Sequence, residues 1–332
     1  MSPALPPRTA GIAVLLVILA AGFARARAGP GSVLPPQSRA AWRVAITIDD
    51  LPMTGGSCTA EAIDSLHDAL LAALARHAIV ATGFVIPGTS CQGPGPASAS
   101  AVATRWIRAG HEIGNHAFTH PDLNTVPAAG YLADVARADR ALAPVLEAAG
   151  QEERWFRPPQ LHAGPDPGRK AALERWMVEH GYRMGVVTID NQEWVFAAAY
   201  QRARTRSDSS AMTRVVDGYI DHLLECARYY RALSRQLFQR EIPQVLLLHA
   251  NRLNADHLER VLAALRLTGA SFIPLRAAVT DSAYALPDPY VGPRGLSWLQ
   301  RWALDRGVTP GPEPREPAWV RRIGADSESV FR

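Results

Sequence analysis

Residues 43–51 read "RVAITIDDL", and this stretch decides the fold class. Val44 to Ile48 are apolar on both faces of an extended chain and rich in β-branched residues, the pattern of a strand in a parallel sheet covered on both sides by helices. Two adjacent aspartates follow, then Leu51–Pro52, where the missing proline N–H ends the ladder. Two like charges side by side resist burial, so Asp49 and Asp50 mark the carboxyl end of this strand, where sites gather in parallel α/β folds. Neighbouring side chains on a strand point to opposite faces. The two carboxylates are therefore expected to have different tasks rather than to grip one ion as a pincer.

Apolar runs predict further strands at 79–86, 111–115, 154–157, 183–189, 244–249 and 271–275. Amphipathic stretches predict helices at about 60–77, 98–109, 127–149, 167–180 and 254–267. In the last of these Asn254 is the expected N-cap, and Leu258, Val261, Leu262 and Leu265 fall at i, i+3, i+4 and i+7. Strand–helix alternation predicts a barrel-like or open α/β fold of about seven parallel strands in one domain over 41–280. Residues 198–241 read as an Arg-rich helical insertion, 92–100 as a loop, and 281–332 as a Pro/Gly-rich C-terminal extension.

The chain has 332 residues, 48% apolar and 20% charged, enough for a full core. Residues 1–28 have the layout of a secretory signal peptide, with Arg8, an apolar run from Gly11 to about Ala24, and Ala26-Arg27-Ala28 as cleavage site, an uncleaved anchor being the alternative. A linker over 29–40 follows, and the mature protein is expected in the periplasm or outside the cell. Removal of Arg8, Arg25 and Arg27 takes three charges from the formal +4 and leaves +1. No Lys/Arg block remains that could track phosphates, so a nucleic-acid partner is not expected, nor a membrane span after cleavage. Cys58 and Cys91 lie in Gly-rich loops and can pair in an oxidising compartment, against the alternative of three unpaired thiols. Cys226, in a helical pattern, is expected to be a free buried thiol.

Three segments carry the chemistry. "HEIGNHAFTHPDL" places His116 and His120 four apart, a spacing that on a helical turn puts both rings on one face, suited to a metal; His111 falls off the spacing and reads as structural. Two imidazoles and one carboxylate make three protein ligands and leave a position open, the count of a catalytic metal site. The second aspartate is then free to act as base. "QVLLLHANRL" sets His249 at the end of an apolar strand, where it can serve as general acid or cap the next helix. "RWFRPPQL" offers Arg157, whose guanidinium can fork onto a carboxylate, and "TIDNQEW" offers Asp190 and Glu193 as partners for the acid imidazole; each can equally be a surface ion pair.

Taken in order, these segments resemble the polysaccharide deacetylase family, which includes chitooligosaccharide and peptidoglycan deacetylases. The family's T-F-D-D is "TIDD" at 47–50, and its H-[ST]-x-x-H is "HAFTH" at 116–120, with Ala117 where Ser or Thr is usual. R-x-P-x-G is "RPPQL" at 157–161, D-x-x-D-W is "DNQEW" at 190–194, and L-x-H is "LLH" at 247–249. The resemblance implies a distorted (β/α) barrel holding one divalent ion through Asp50, His116 and His120. Zinc is the first choice, with Co, Mn, Ni or Fe also suited to such a set. It implies Asp49 as base oriented by Arg157, and His249 as acid tuned by Glu193 or, second, Asp190. Trp194, Phe118 and Pro159 are expected to wall the substrate. The implied activity is hydrolysis of N-acetyl groups on an aminosugar-containing glycan. Alternatives are hydrolysis of another acyl bond, such as an O-acetyl ester of xylan or a non-sugar amide, and a non-catalytic cell-wall binder. Leu161 and Glu193 depart from the family pattern, and both bear on the pocket rather than on the metal ligands.

Overall fold

In the computed structural model, which describes residues 41–56, 58–88 and 96–325, the opening stretch forms the longest of the described strands, β1 (Trp42–Leu51). Six more follow: β2 (Thr82–Val85), β3 (Glu112–Asn115), β4 (Arg154–Phe156), β5 (Tyr182–Met184), β6 (Gln244–His249) and β7 (Ala270–Phe272). They alternate with helices α1 (Ala60–Arg76), α2 (Pro96–Arg108), α3 (Ala128–Ala149) and α4 (Pro167–Glu179). Between β5 and β6 come α5 (Glu193–Thr205) and α6 (Ser209–Phe238). After β6 come α7 (Arg252–Leu267), α8 (Leu275–Ala278), α9 (Trp298–Asp305) and α10 (Ala318–Gly324). The signal peptide over 1–28, the linker over 29–40 and Cys91, and with Cys91 its expected pairing with Cys58, lie outside the described residues. Cys226 is free and buried, as expected.

All pairings are parallel, in the order β5-β4-β3-β2-β1-β6, with β7 added beside β1. This is the distorted (β/α) barrel. Val44, Ala45, Ile46 and Ile48 are fully buried, as a strand covered on both faces requires. The insertion helix α6 turns Val215, Tyr219, Leu223 and Tyr230 into the same core. Among the described residues no helix is long and apolar enough to cross a membrane.

Two expectations are corrected. The strand foreseen at 183–189 stops at Met184. The carbonyls of Gly185 and Val186 bond the Arg157 guanidinium (2.8 and 3.1 Å) instead of a neighbouring strand. Ile189 then bridges to Leu246 of β6, which draws the open edge of the barrel together. The N-cap of α7 is Asn251, not Asn254. Asn251 is extended and its side chain accepts from the Asn254 backbone N–H, while the Asn254 amide lies inside the first turn and donates to the His249 carbonyl (2.9 Å).

Candidate metal and acid–base site

The two aspartates reach one cavity through a defect in the sheet. Ile48 pairs with Gly83 and Leu51 with Val85, so three steps on β1 match two on β2, a β-bulge at Asp49–Asp50. Asp50 takes φ 62°, in the left-handed region. A regular strand would have thrown the two side chains to opposite faces, as expected from the sequence; the bulge re-aims Asp50, and both carboxylates line the same cavity of about 540 Å³. Asp49 stands in register with His249 at the end of β6, so base and acid candidates come from adjacent strand ends.

His116 and His120 also face this cavity, though not on a helical turn. Ala117 and His120 have φ of 61° and 58°, and the backbone between the histidines is a non-helical loop. Asn115 Oδ1 accepts the Ala117 N–H (2.8 Å), and Asp134 on α3 accepts the N–H groups of Phe118 and Thr119 (2.7 and 3.0 Å). Nothing in the sequence singled out Asn115 or Asp134 for this work. The loop brings the two imidazole centroids within 5.0 Å.

Asp50 Oδ1 lies 3.5 Å from His116 Nε2 and 3.6 Å from His120 Nε2, and among the described residues it has no hydrogen-bond partner although it is buried. These contacts are too long for good hydrogen bonds. They fit the edge of a tetrahedron with bonds of 2.0–2.1 Å, roughly 3.4 Å. A buried, unpaired carboxylate oxygen facing two imidazole nitrogens at that spacing fits a divalent ion, and Asp50, His116 and His120 form a group able to hold one. His116 Nδ1 lies 2.7 Å from the Arg157 carbonyl, which can only accept, so Nδ1 carries the proton and Nε2 presents a lone pair to the cavity. Burial lowers the pKa of His120 and keeps that ring neutral, the form that ligates. Burial alone would raise the pKa of Asp50, but the surrounding imidazoles of His116, His120 and His249 outweigh it and hold the carboxyl well below its usual range.

Asp49 belongs to a different network. Arg157 is fully buried; its Nη1 donates to Asp49 Oδ1 (2.5 Å) and to Thr47 Oγ1 (2.9 Å), which fixes the carboxylate while leaving Oδ2 3.7 Å from His116. His249 Nδ1–H donates to Glu193 Oε2 (2.8 Å), and Asn251 donates to Glu193 Oε1 (2.5 Å). Burial opposes charge on His249, yet the hydrogen bond and charge of Glu193, with Asp50 and Asp49, push its pKa up to about 10. Asp190 lines the cavity but spends Oδ1 on the Gln192 N–H (3.1 Å); among the described contacts the partner of His249 is Glu193.

Trp194 lines the cavity, with its indole N–H on Gln192 Oε1 (3.2 Å). Phe118 does not, contrary to expectation: it is buried under the Arg137 guanidinium, 3.6 Å from the ring centroid. Pro159 is likewise buried in the turn beneath, and Gln160 and Leu161 form the wall instead. His111 is structural, its Nδ1 accepting from the Ala81 N–H (3.2 Å).

Residues 37–185 match the family model for polysaccharide deacetylase. The peptidoglycan-N-acetylglucosamine deacetylase PgdA of Listeria monocytogenes is 27% identical over 124 residues, 37% of this chain and 22% of that protein. The chain thus spans about a fifth of the length of the curated relatives it matches. Among solved structures, the Bc1960 peptidoglycan N-acetylglucosamine deacetylase aligns over 72% of this chain and 89% of its own, with 19% identity and a TM-score of 0.46. BA3943 of Bacillus anthracis, described as a CE4 family pseudoenzyme, aligns over 73% and 66%, with 16% identity and a TM-score of 0.45. The matched span carries the aspartate pair, both histidines and Arg157, all placed together by the fold, and over it the chain is similar to the polysaccharide deacetylase family.

Proposed function

We propose that this protein is an exported, metal-dependent hydrolase that removes N-acetyl groups from an aminosugar-containing glycan and releases acetate. One observation carries the reading: a donor set at ion spacing, Asp50, His116 and His120, shares its cavity with a separate carboxylate and a separate imidazole, each locked by its own buried partner. Asp50, His116 and His120 would hold a divalent ion, zinc first, which would supply Lewis acidity toward water and the acyl oxygen. Asp49, held by Arg157, accepts the proton from the attacking water. His249, charged through Glu193, delivers a proton to the departing nitrogen, so that acetate and a free amine result. Trp194 offers an apolar face for an acetyl methyl or a sugar ring. The name of the Listeria relative, which places its action on peptidoglycan N-acetylglucosamine, supports an aminosugar substrate.

A panel of acetylated glycans, with acetate measured before and after chelation, tests this. Release from N-acetylglucosamine oligomers that stops on chelation and returns with zinc is the expected result. Release from acetylated xylan alone would overturn the substrate, and chelator-resistant release would overturn the metal.

Glu193→Gln tests the acid. Turnover needs His249 protonated, so activity falls as pH rises through its pKa. Glu193 stabilises the imidazolium, and removing its charge lowers that pKa. The alkaline limb of kcat/KM should therefore move to lower pH by about one to two units, while the acid limb stays in place. An unmoved alkaline limb would assign the acid elsewhere.

A further inference from the structure

The C-terminal segment forms part of the cavity wall, where Gly295 lies beside Gln160 and Leu161. Those two are consecutive non-glycine residues with φ of 57° and 56°. Side chains disfavour that conformation, and it persists only where the surroundings hold it. Within the loop, Leu161 N–H donates to Pro158 O (3.0 Å) and His162 N–H to Pro159 O (3.1 Å). Further bonds come from outside it. Arg301, buried on α9, donates from Nη2 to Leu161 O (2.6 Å), from Nε to Leu296 O (2.9 Å) and from Nη1 to Asp288 Oδ2 (2.5 Å). Lys170 binds the same Asp288 oxygen at 3.0 Å. On the far side Asn124 donates to Pro293 O (2.8 Å) and sits 2.8 Å from His162 Nδ1. At Gly295 the two backbones are so close that a Cβ would overlap the Gln160 carbonyl oxygen.

This loop starts at Arg157, whose carbonyl orients His116 and whose guanidinium holds Asp49. We infer that the segment from Asp288 to Arg301 is an integral part of the active site, with Arg301 the positioning residue that fixes the 157–162 loop and, through Arg157, the metal-facing His116. The inference rests on the metal site proposed above. It also gives a role to a stretch that by composition reads as a mere extension.

Arg301→Gln and Gly295→Ala test it in the full chain, with Arg240→Ala as control. Arg240 pairs with Asp281 near the start of the same stretch (2.7 Å for one arm) but does not touch the loop. Zinc affinity of the metal-free protein is measured by chelator competition, alongside melting temperature, kcat and KM. Arg301→Gln and Gly295→Ala should weaken zinc binding about ten-fold, the effect of losing a partner that orients a ligand, while Arg240→Ala stays within about two-fold. In the two loop variants kcat should fall more than KM rises. Should Arg301→Gln fail to fold, Gly295→Ala, in a loop rather than the core, decides. Unchanged zinc affinity in the folded loop variants, or an equal loss in Arg240→Ala, overturns the inference. If the parent binds zinc and the pattern holds but no glycan yields acetate, the inference stands and the deacetylase reading falls. A parent chain that binds no zinc removes both.

Discussion

Asp49→Asn should cost roughly 10²–10⁴-fold in kcat, the span that general acid–base catalysis contributes, and leave the ion in place. The amide has the shape of the carboxylate but cannot take a proton from water. Its oxygen can still accept from Arg157 Nη1, and Thr47 Oγ1, Gly185 O and Val186 O continue to bind the guanidinium. The local geometry should therefore survive, with a stability loss below the ~3–5 kcal/mol typical when one partner of a buried ion pair is removed outright. Asp49 stands outside the group of three that can share an ion, so elemental analysis should find the parent's metal content. Turnover within a few-fold of the parent would sink the base assignment. Loss of metal together with activity would move Asp49 into the ligand set.

The sequence makes the framework legible because its strongest signals are local. Val44–Ile48 can only be a doubly covered strand, and the helices at 60–76 and 128–149 lie within a residue of where their periodicity places them. What it hides is set by distant partners. The strand at 183–189 breaks because its carbonyls serve a guanidinium 28 and 29 residues earlier. The Asp49–Asp50 bulge arises from register with β2, which no stretch of β1 encodes alone. The four-residue spacing of His116 and His120 identifies the right pair for the wrong conformational reason. The left-handed residues Ala117 and His120 carry no glycine signal, and Asp134, which holds the loop, stands on a later helix. Phe118 shares the motif but meets Arg137, a contact that only the packing of α3 reveals. Glu193 and Asp190 are separable in space but not in sequence, since the choice depends on which one reaches β6.

His116→Ala should abolish both activity and the response of folding to zinc. The imidazole bridges two halves of the site: Nδ1–H is tied to the Arg157 carbonyl, and Nε2 faces Asp50. Removing it leaves two donors, one short of the three protein ligands of a catalytic ion. In the parent, binding to the native state alone adds RT ln(1 + [L]/Kd), about 2.7 kcal/mol at a hundred-fold excess over Kd. For a chain of this size that is a rise in melting temperature of roughly 4–5 °C. The variant should melt at one temperature with or without zinc. Melting in chelator separates this from simple damage: the empty variant should lie only slightly below the empty parent, because His116 contributes one buried hydrogen bond and a small volume there. Asp50 explains the sign. Its buried oxygen has no hydrogen-bond partner among the described residues, so an ion bound there would offset the cost of burying it. A zinc-dependent rise of the same size in His116→Ala, or one ion per chain retained by it, would place the ion elsewhere and take the proposed chemistry with it.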